Sequence, residues 1–483
     1  MRNLSLVSLL LLATCPLATA ASLTPASRLQ MTRLASPDVA AALRREQAVP
    51  AGTPRPTLWA LPVSGPLPTL ADGEWETVDG TAVWRLPLEA AGAQSIGIAF
   101  SDLSLPDGAQ LSVSSLDATQ THGPYTQADV RNGKLQLPII EGEQLLLTAE
   151  VPAARRGSLS LAIARLDYGF RSFDEAEVAY KSGGCNEDVA CSAGDTVRDQ
   201  IRAVARYTVA QPAGTFFCSG TLLNNTAQDG RPYFLTADHC FRSSNGAFVG
   251  DPASIVLYWN YQASSCGGPR DGNISQSQFG TTLRANSLNS DFVLLELNQK
   301  PPSAYKVYYA GWDRSNAAPT SAIGIHHPQG DEKAISVEYD ATTITDYGSD
   351  TTDTSANYIR IGNWDIGVTE GGSSGSALFN PEHRLVGTLT GGEAQCNILG
   401  TNDNDQPDWY GRFYAHWNGS AAAAGSVRSW LDPSGNGTTR LSGIDAADIG
   451  KEASDDGDGG SLPALLLLFG GAAVLRRRYR RSV

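Results

Sequence analysis

The sequence predicts an all-β protein, with a small N-terminal β-sandwich followed by a larger domain built on β-barrels. Three observations predict this fold class. Glycine is abundant, with 49 residues in 483, while charged residues make up only 18% of the chain, a composition typical of loop-rich β structure. Many short runs alternate apolar and polar residues with a period of two. Helical patterning is scarce, and one helix is expected near residues 425–431.

The first 20 residues have the pattern of a secretory signal peptide. Arg2 precedes an apolar stretch from Leu4 to Leu17, and Ala18-Thr19-Ala20 offers the small residues of a cleavage site. A buried helix is the alternative interpretation. The pattern predicts that the protein is exported.

Residues 21–181 contain no cysteine and no cluster of catalytic residue types. Period-two runs such as 81–88, 95–100 and 158–164 are separated by turn sequences such as Pro106-Asp107-Gly108. We interpret this segment as a β-sandwich. It is expected to be a pro-region that keeps an exported enzyme silent and assists its folding; a permanent accessory domain is the alternative.

Residues 182–444 are expected to form the catalytic domain, because they contain both the cysteines and the catalytic residue types. Its predicted strands include 216–223, 254–259 and 384–389, bounded by Gly, Asn and Ser. Many short strands with such punctuation favour barrels.

The C-terminus is predicted to lie outside the folded domain. Residues 445–460 are interpreted as an acidic linker, and 461–483 combine an apolar run, Leu462 to Leu475, with the basic stretch 476–481. The run is shorter than the about 20 residues that a spanning helix needs. We expect transient membrane association, with the arginines on the cytoplasmic side.

Charge and cysteine content exclude some functions. The net charge of −14 argues against nucleic-acid binding, which needs clustered Lys and Arg. Six cysteines follow the signal peptide, at positions 185, 191, 218, 240, 266 and 396. An even number in an exported protein predicts three disulfides, and spacing alone leaves about 15 pairings open. No Cys-x-x-Cys pair supports the rival interpretation, a metal site. His326-His327 lacks a third ligand at usable spacing and is assigned a structural role.

Three distant segments together contain the residues of a catalytic triad. They are 236–240 with His239, 289–297 with Asp291, and 371–377 with Ser374. A serine hydroxyl becomes a strong nucleophile when an imidazole takes its proton and a carboxylate orients that imidazole. The order His, Asp, Ser matches the trypsin-like arrangement and predicts a trypsin-like double β-barrel.

The catalytic segment resembles the bacterial lysyl endopeptidases over nearly its full length. The similarity lies in the stretches 184–186, 198–205, 223–227, 233–237, 258–262, 290–292, 310–314, 325–328 and 372–376. The C-terminal tail, with Gly459-Gly460 before its apolar run, resembles the GlyGly-CTERM sorting signal. That second resemblance implies cleavage within the membrane and delivery to the surface or medium of a Gram-negative bacterium; simple anchoring is the alternative.

The first resemblance implies roles for individual residues. His239 is the general base and acid, Asp291 its orienting partner and Ser374 the nucleophile, while the backbone N–H groups of Gly372 and Ser374 form the oxyanion hole. It implies the disulfides Cys218–Cys240, Cys185–Cys396 and Cys191–Cys266. The carboxylate that binds the substrate lysine is expected at Asp408, with Asp405 as second choice and a solvated acidic loop as the alternative for this stretch. Thr390 replaces a His of the family and is expected to line the substrate pocket and approach Asp291.

Activation is expected to differ from that of trypsin. Trypsin has an Asp just before the nucleophile, which binds the new N-terminus, whereas this chain has the uncharged Ser373. We therefore expect removal of the pro-region to open the cleft, by self-cleavage after Lys181.

These observations predict a secreted, monomeric serine endopeptidase that uses no cofactor or metal and cuts proteins or peptides after basic residues, chiefly lysine. A trypsin-like protease of other specificity and a catalytically silent surface adhesin are the alternatives. The complete set His239, Asp291 and Ser374 argues against the adhesin.

Overall fold

We describe a computed structural model of the chain. The structure describes residues 23–50, 52–171, 182–396, 405–419 and 426–451, and the backbone of 402–403. The predicted signal peptide 1–20, Lys181 and the predicted tail 461–483 lie outside these residues. The described residues up to Ile449 belong to one compact unit, and the unit that follows begins at Gly450.

The N-terminal region is a two-layered β structure. Its helix α1 spans Val39–Gln47 and is capped by Asp38, whose carboxylate accepts a hydrogen bond from the N–H of Ala41. Its strands are β1 (Thr32–Arg33), β2 (Thr57–Pro62), β3 (Glu74–Val78), β4 (Thr81–Glu89), β5 (Ser95–Phe100), β6 (Gln110–Ser114), β7 (Thr121–Tyr125), β8 (Leu135–Gln136), β9 (Ile140–Glu141), β10 (Gln144–Pro152) and β11 (Ile163–Gly169).

Alternation of apolar residues along these strands builds the core of the sandwich. One sheet contains β1, β3, β4, β6, β7 and β10, and the other layer contains β2, β5, β8, β9 and β11. Side chains such as Trp84, Leu86, Ile98 and Leu147 are buried in one cluster. The β-sandwich predicted for this segment is present.

A first barrel-like sheet follows. Helix α2 (Arg198–Ala203) leads into it, and the short strand β12 (Glu187–Asp188) before this helix pairs with the second barrel-like sheet, through residues 334 and 335. The strands of the first sheet are β13 (Val204–Gln211), β14 (Gly214–Leu223), β15 (Tyr233–Thr236), β16 (Val256–Trp259), β17 (Ser277–Phe279), β18 (Thr281–Ser287) and β19 (Phe292–Leu297). They pair in the order β17-β16-β13-β14-β15-β19-β18.

A second barrel-like sheet completes the fold, which is all-β with two barrels as predicted. The elements after residue 300 are β20 (Tyr308–Tyr309), β21 (Trp312–Asp313), β22 (Ala322–His326), β23 (Ala334–Glu338), β24 (Thr343–Thr345), β25 (Tyr358–Ile361), β26 (Ala377–Phe379), β27 (Leu385–Gly392), β28 (Gln395–Cys396), β29 (Asn402–Asp403), β30 (Asp408–Arg412), α3 (Phe413–Asn418), α4 (Val427–Leu431), β31 (Arg440–Leu441) and β32 (Ile444–Asp445). The main strands of the second sheet pair in the order β12-β23-β22-β26-β27-β30-β25-β24. Helix α4 is the helix that the sequence predicts near 425–431.

The sandwich and the first barrel share one continuous sheet. Strand β2 of the N-terminal region pairs antiparallel with β14, with Ala60 opposite Thr215 and Leu58 opposite Phe216. Trp59 packs in a joint apolar cluster with Phe217 and Tyr258 of the barrel. The predicted division at residue 181 therefore does not separate two compact units.

The predicted acidic linker also begins too early. Asp445 lies in β32, and its carboxylate forms an ion pair with Arg202 at 2.8 Å. The compact unit ends at Ile449 instead of residue 444. Along the described stretches of the chain, the structure has no helix with both the length and the apolar character needed to cross a membrane.

Candidate active site

His239 and Asp291 are in direct contact in the first barrel. His239 follows β15 in a short helical turn, and Asp291 immediately precedes β19. The Asp291 carboxylate contacts Nδ1 of His239 at 2.7 Å through Oδ2 and accepts the backbone N–H of His239 at 2.8 Å through Oδ1. A ring held at Nδ1 by a carboxylate presents Nε2 as its base.

Asp291 is ionised despite its burial. Only 3% of the residue is exposed, and burial alone would raise the pKa of its carboxyl. The charge and hydrogen bonds of His239 outweigh burial and hold the pKa of Asp291 below its usual value, with a smaller contribution from the Thr390 hydroxyl. The carboxylate therefore favours a histidine that gains a proton during a reaction.

Ser374 lies in the turn that precedes β26 in the second barrel. This turn lies close to the segment that carries His239: a Cβ on Gly375 would lie 2.1 Å from Thr236 Oγ1 and 2.8 Å from the backbone N of Ala237. The φ of Gly375 is +79°, so this position favours glycine on both counts. The backbone O of Ser374 also accepts the N–H of Ser219, at 2.8 Å.

The same turn presents two backbone N–H groups. Those of Ser373, Gly375 and Ser376 donate to the carbonyls of Glu370, Leu389 and Ser373. Within the described residues, no backbone carbonyl accepts the N–H of Gly372 or of Ser374. Gly372 has a φ of +92°, which favours glycine. Two such donors in one turn are what an anionic oxygen requires.

A cleft of about 650 Å³ opens beside Ser374. On the side of the second barrel it is lined by Thr369, Gly371, Ser374 and the β27 residues 389–392, which include Thr390. Asp408 lies behind these residues at the start of β30. A Cβ on Gly392 would lie 2.1 Å from Asp408 Oδ1, so only glycine at residue 392 leaves room for this carboxylate.

Asp408 is fully buried, whereas Asp405 is exposed on a turn. Oδ2 of Asp408 accepts hydrogen bonds from Trp364 Nε1 at 2.7 Å and Thr369 Oγ1 at 2.8 Å. Its Oδ1 is buried and has no hydrogen-bond partner among the described residues. Burial raises the pKa of Asp408 to about 6. A buried carboxylate with one free oxygen has the chemistry of a binding site for a cation.

The N-terminal region lines the opposite side of this cleft. Residues from α1 and the segment that follows it contribute, among them Glu46, Pro50, Gly52 and Arg55. The hydroxyl of Tyr347 donates to the carbonyl of Gly52. Arg171 fixes the segment, because its guanidinium donates to Glu46 Oε2 at 2.9 Å and to the carbonyl of Leu58 at 2.6 Å.

Three disulfides connect the catalytic segment, in the same pairs that the resemblance implies. They are Cys185–Cys396, Cys191–Cys266 and Cys218–Cys240. The third joins β14 to the turn that carries His239. Across the described part of the chain, the one cluster with metal-ligand types is Glu187 with Cys191 and Cys266. Its two sulfurs are bonded to each other, which removes them as thiolate ligands.

Sequence reasoning did not identify two side chains that contact Asp408. Trp364 and Thr369 lie in the stretch before the Ser374 turn, and only the fold brings them to β30. It also did not predict that Pro50 and the N-terminal segment 52–57 line the cleft. Neither stretch carries a local motif that signals its place in the cleft.

Comparison with known proteins gives consistent results. A family model described as "Lysyl endopeptidase, C-terminal domain" matches residues 179–411. The lysyl endopeptidase of Pseudomonas aeruginosa is 31% identical over 388 residues, which cover 73% of this chain and 78% of the relative.

Among solved structures, an HtrA-type protease, AlgW with a tripeptide, aligns with a TM-score of 0.31 and 17% identity, over 46% of this chain and 60% of that one. The protease Anisep from Arthrobacter nicotinovorans aligns with a TM-score of 0.32 and 14% identity, over 47% of this chain and 93% of that one.

Proposed function

Because this chain belongs to the lysyl endopeptidase family and is a serine endopeptidase, we propose that it is secreted and hydrolyses peptide bonds after lysine. The observation that supports lysine is Asp408: a fully buried carboxylate behind the cleft, with one oxygen unpartnered among the described residues. A lysine ammonium that reaches this oxygen would compensate for the carboxylate's lost hydration. Asp405 is exposed and offers no such pocket.

Ser374, His239 and Asp291 carry out the hydrolysis in this proposal. Ser374 Oγ attacks the carbonyl carbon while its proton passes to Nε2 of His239, and Asp291 stabilises the resulting imidazolium. The N–H groups of Gly372 and Ser374 bind the negative oxygen of the tetrahedral intermediate. His239 then protonates the leaving amine, which gives the acyl-enzyme. Water attacks the acyl group by the same route, and Ser374 regains its proton.

A covalent probe tests this assignment. We expect a fluorophosphonate to label the mature enzyme at Ser374, because the probe reacts with serines that a histidine activates. The labelling and the peptidase activity are both expected to disappear in Ser374→Ala. The matched control is Ser243→Ala, which changes a half-buried serine of the loop after His239 whose hydroxyl donates to Asn245 Oδ1; this variant is expected to keep both signals. Labelling that persists in a folded Ser374→Ala protein would refute the assignment and point to another nucleophile, whereas a folded wild-type protein that is not labelled would favour the adhesin.

The N-terminal region acts as a pro-region in this proposal, and Pro50 and the segment 52–57 support that role because they line the cleft beside Ser374. We also propose that the signal 1–20 directs export and that the C-terminal tail associates transiently with the membrane. The protein is then released, as a monomer, to the surface or medium of a Gram-negative bacterium. The three disulfides are consistent with an extracellular protease.

Blocking the maturation cut tests the pro-region. We expect Lys181→Gln to keep the chain full-length and to lower turnover of a lysyl anilide, because Pro50 and residues 52–57 would stay in the cleft. SDS gels and the anilide assay measure both effects. Lys134→Gln, which changes an exposed lysine of the same region, is expected to mature normally. A full-length Lys181→Gln chain as active as the mature enzyme would contradict the prediction.

A further inference from the structure

We propose that His326 is a positioning residue of the active site, which holds the Ser374 turn through a directed chain of hydrogen bonds to Ser373. This inference rests on the proposed role of Ser374 as nucleophile. His326 is the last residue of β22 and is fully buried. Its Nδ1 lies 2.8 Å from Ser373 Oγ, and its Nε2 lies 2.9 Å from Ser336 Oγ.

The partners of the two serines fix the direction of every hydrogen bond in this chain. Ser336 Oγ donates its single proton to the carbonyl of Val368, at 2.8 Å. Ser336 Oγ must therefore accept from His326, which places the imidazole proton on Nε2. Nδ1 is then an acceptor, so Ser373 Oγ donates to it. Ser373 Oγ in turn accepts the backbone N–H of Glu370, at 3.2 Å.

The chain therefore runs from Glu370 N–H through Ser373, His326 and Ser336 to the carbonyl of Val368, and every member is neutral. Complete burial favours the neutral imidazole, since it lowers the pKa of His326 to about 3. Both ends of the chain lie in residues 368–370, the stretch that leads into the Ser374 turn. The side chain of His326 thus fastens this stretch at two points.

The turn needs such a restraint because its donors depend on an unusual backbone conformation. Ser373 separates Gly372, whose φ is +92°, from Ser374, and the N–H groups of these two neighbours are the proposed oxyanion donors. A second contact from the end of β22 supports the same turn: the N–H of His327 donates to Ser219 Oγ, which donates to the carbonyl of Gly372, both at 3.0 Å. Held by Ser373 Oγ, the turn keeps both N–H groups directed toward the cleft.

This chain of hydrogen bonds includes Ser373, the residue before the proposed nucleophile, where trypsin has a carboxylate. In trypsin, the residue before the nucleophile is charged and binds the new N-terminus, whereas Ser373 and His326 are neutral here and their bonds are present in the uncut chain. The turn is therefore fastened before maturation. Maturation then has to open the cleft and does not have to build the turn.

A double-mutant cycle tests this inference in the full chain after its maturation. Losing one oxyanion donor costs about 10² to 10³ in rate, so a turn that is loosened but still present is expected to lower kcat about tenfold. We expect this loss in Ser373→Ala and in His326→Ala, with KM changed by less than about threefold because the pocket at Asp408 is intact. The kcat of the double variant should be no lower than that of the less active single variant, because the two residues act through one hydrogen bond.

A neighbouring histidine supplies the matched control. His327 is equally buried, but its ring contacts the carbonyl of Asp331 at 2.9 Å and stacks on Tyr261. His327→Ala is expected to combine additively with Ser373→Ala in kcat. Additive losses in the His326 cycle, or a kcat within about twofold of wild type in Ser373→Ala, would overturn the proposal. The proposed nucleophile is unaffected by that outcome, since fluorophosphonate labelling at Ser374 reports on it separately.

His326→Asn keeps the test decisive if an alanine variant does not fold. Its amide can stay near the position of Nδ1 and accept from Ser373, although it cannot reach Ser336. We expect it to retain more kcat than His326→Ala, or at least a third of the wild-type value if His326→Ala is unfolded. A folded His326→Asn enzyme with unchanged KM and kcat as low as that of Ser373→Ala would count against positioning through Ser373.

Discussion

The Asp291→Asn enzyme is expected to lose about 10⁴-fold in kcat, because this substitution reverses the tautomer of His239. An asparagine amide at this place would donate to Nδ1, where the carboxylate now accepts at 2.7 Å. The imidazole proton would then lie on Nε2, which leaves Ser374 without a base. Asparagine adopts positive φ readily, so the φ of 56° at residue 291 is compatible with the variant.

Steady-state hydrolysis of a lysyl anilide measures this loss. Asp313→Asn is a suitable control: Asp313 is also buried, and it binds Arg440 at 2.8 Å in the second barrel, away from the cleft. We expect the control to lose stability and to keep its kcat. An Asp291→Asn enzyme with more than about a tenth of the wild-type kcat would show that Asp291 does not orient the base.

The second large effect is expected at the specificity pocket. Asp408→Asn removes the charge that faces the substrate ammonium in the proposed function, and an ammonium buried without its partner costs about 3 to 5 kcal/mol. We therefore expect kcat/KM for lysyl substrates to fall about 10²- to 4 × 10³-fold. For substrates with a neutral side chain of similar length, such as glutamine or norleucine, we expect kcat/KM to fall little or to rise. A comparison of peptide-library digests measures the change in preference.

Two further measurements would distinguish a role of Asp408 in lysine binding from a role of Asp405 and from a general loss of activity. Asp405→Asn changes an exposed carboxylate and should keep the lysine preference. Because the pKa of Asp408 is raised to about 6 in the empty pocket, the carboxyl is protonated as the pH falls through 6. KM for lysyl substrates should therefore rise below pH 6 in the wild type and stay flat in Asp408→Asn. Lysine preference that survives Asp408→Asn would contradict this assignment.

The candidate catalytic residues could be proposed from the sequence because each lies in a short segment with its own signal. His239, Asp291 and Ser374 follow or precede apolar strands at positions where barrel loops meet. The choice between Asp408 and Asp405 could not be made from spacing, since the two lie three residues apart in one polar stretch of the sequence. Burial distinguishes them, and burial depends on Trp364 and Thr369, which lie about 40 residues earlier in the chain.

Other features had no local signal. The run Thr57–Pro62 is recognisable as an apolar strand, but main-chain pairing with β14 is independent of side-chain identity, so its partner could not be inferred. His326 was assigned a structural role, which describes any buried histidine. A positioning role differs from a purely structural one through the direction of the hydrogen bonds. The contacts of Ser336 and of the Glu370 N–H fix that direction, and they are known only from the fold.

The shared sheet has a consequence for how the catalytic domain reaches its folded state. If residues 21–181 are released by the proposed cut, the first half of β14 would become an unpaired sheet edge, and Phe217 would lose the indole that packs against it. In that case the N-terminal region would serve as a template on which the first barrel is completed and would then be removed. A mature enzyme that has been denatured without its N-terminal region would have to rebuild that edge unaided, so loss of structure after release is expected to be hard to reverse.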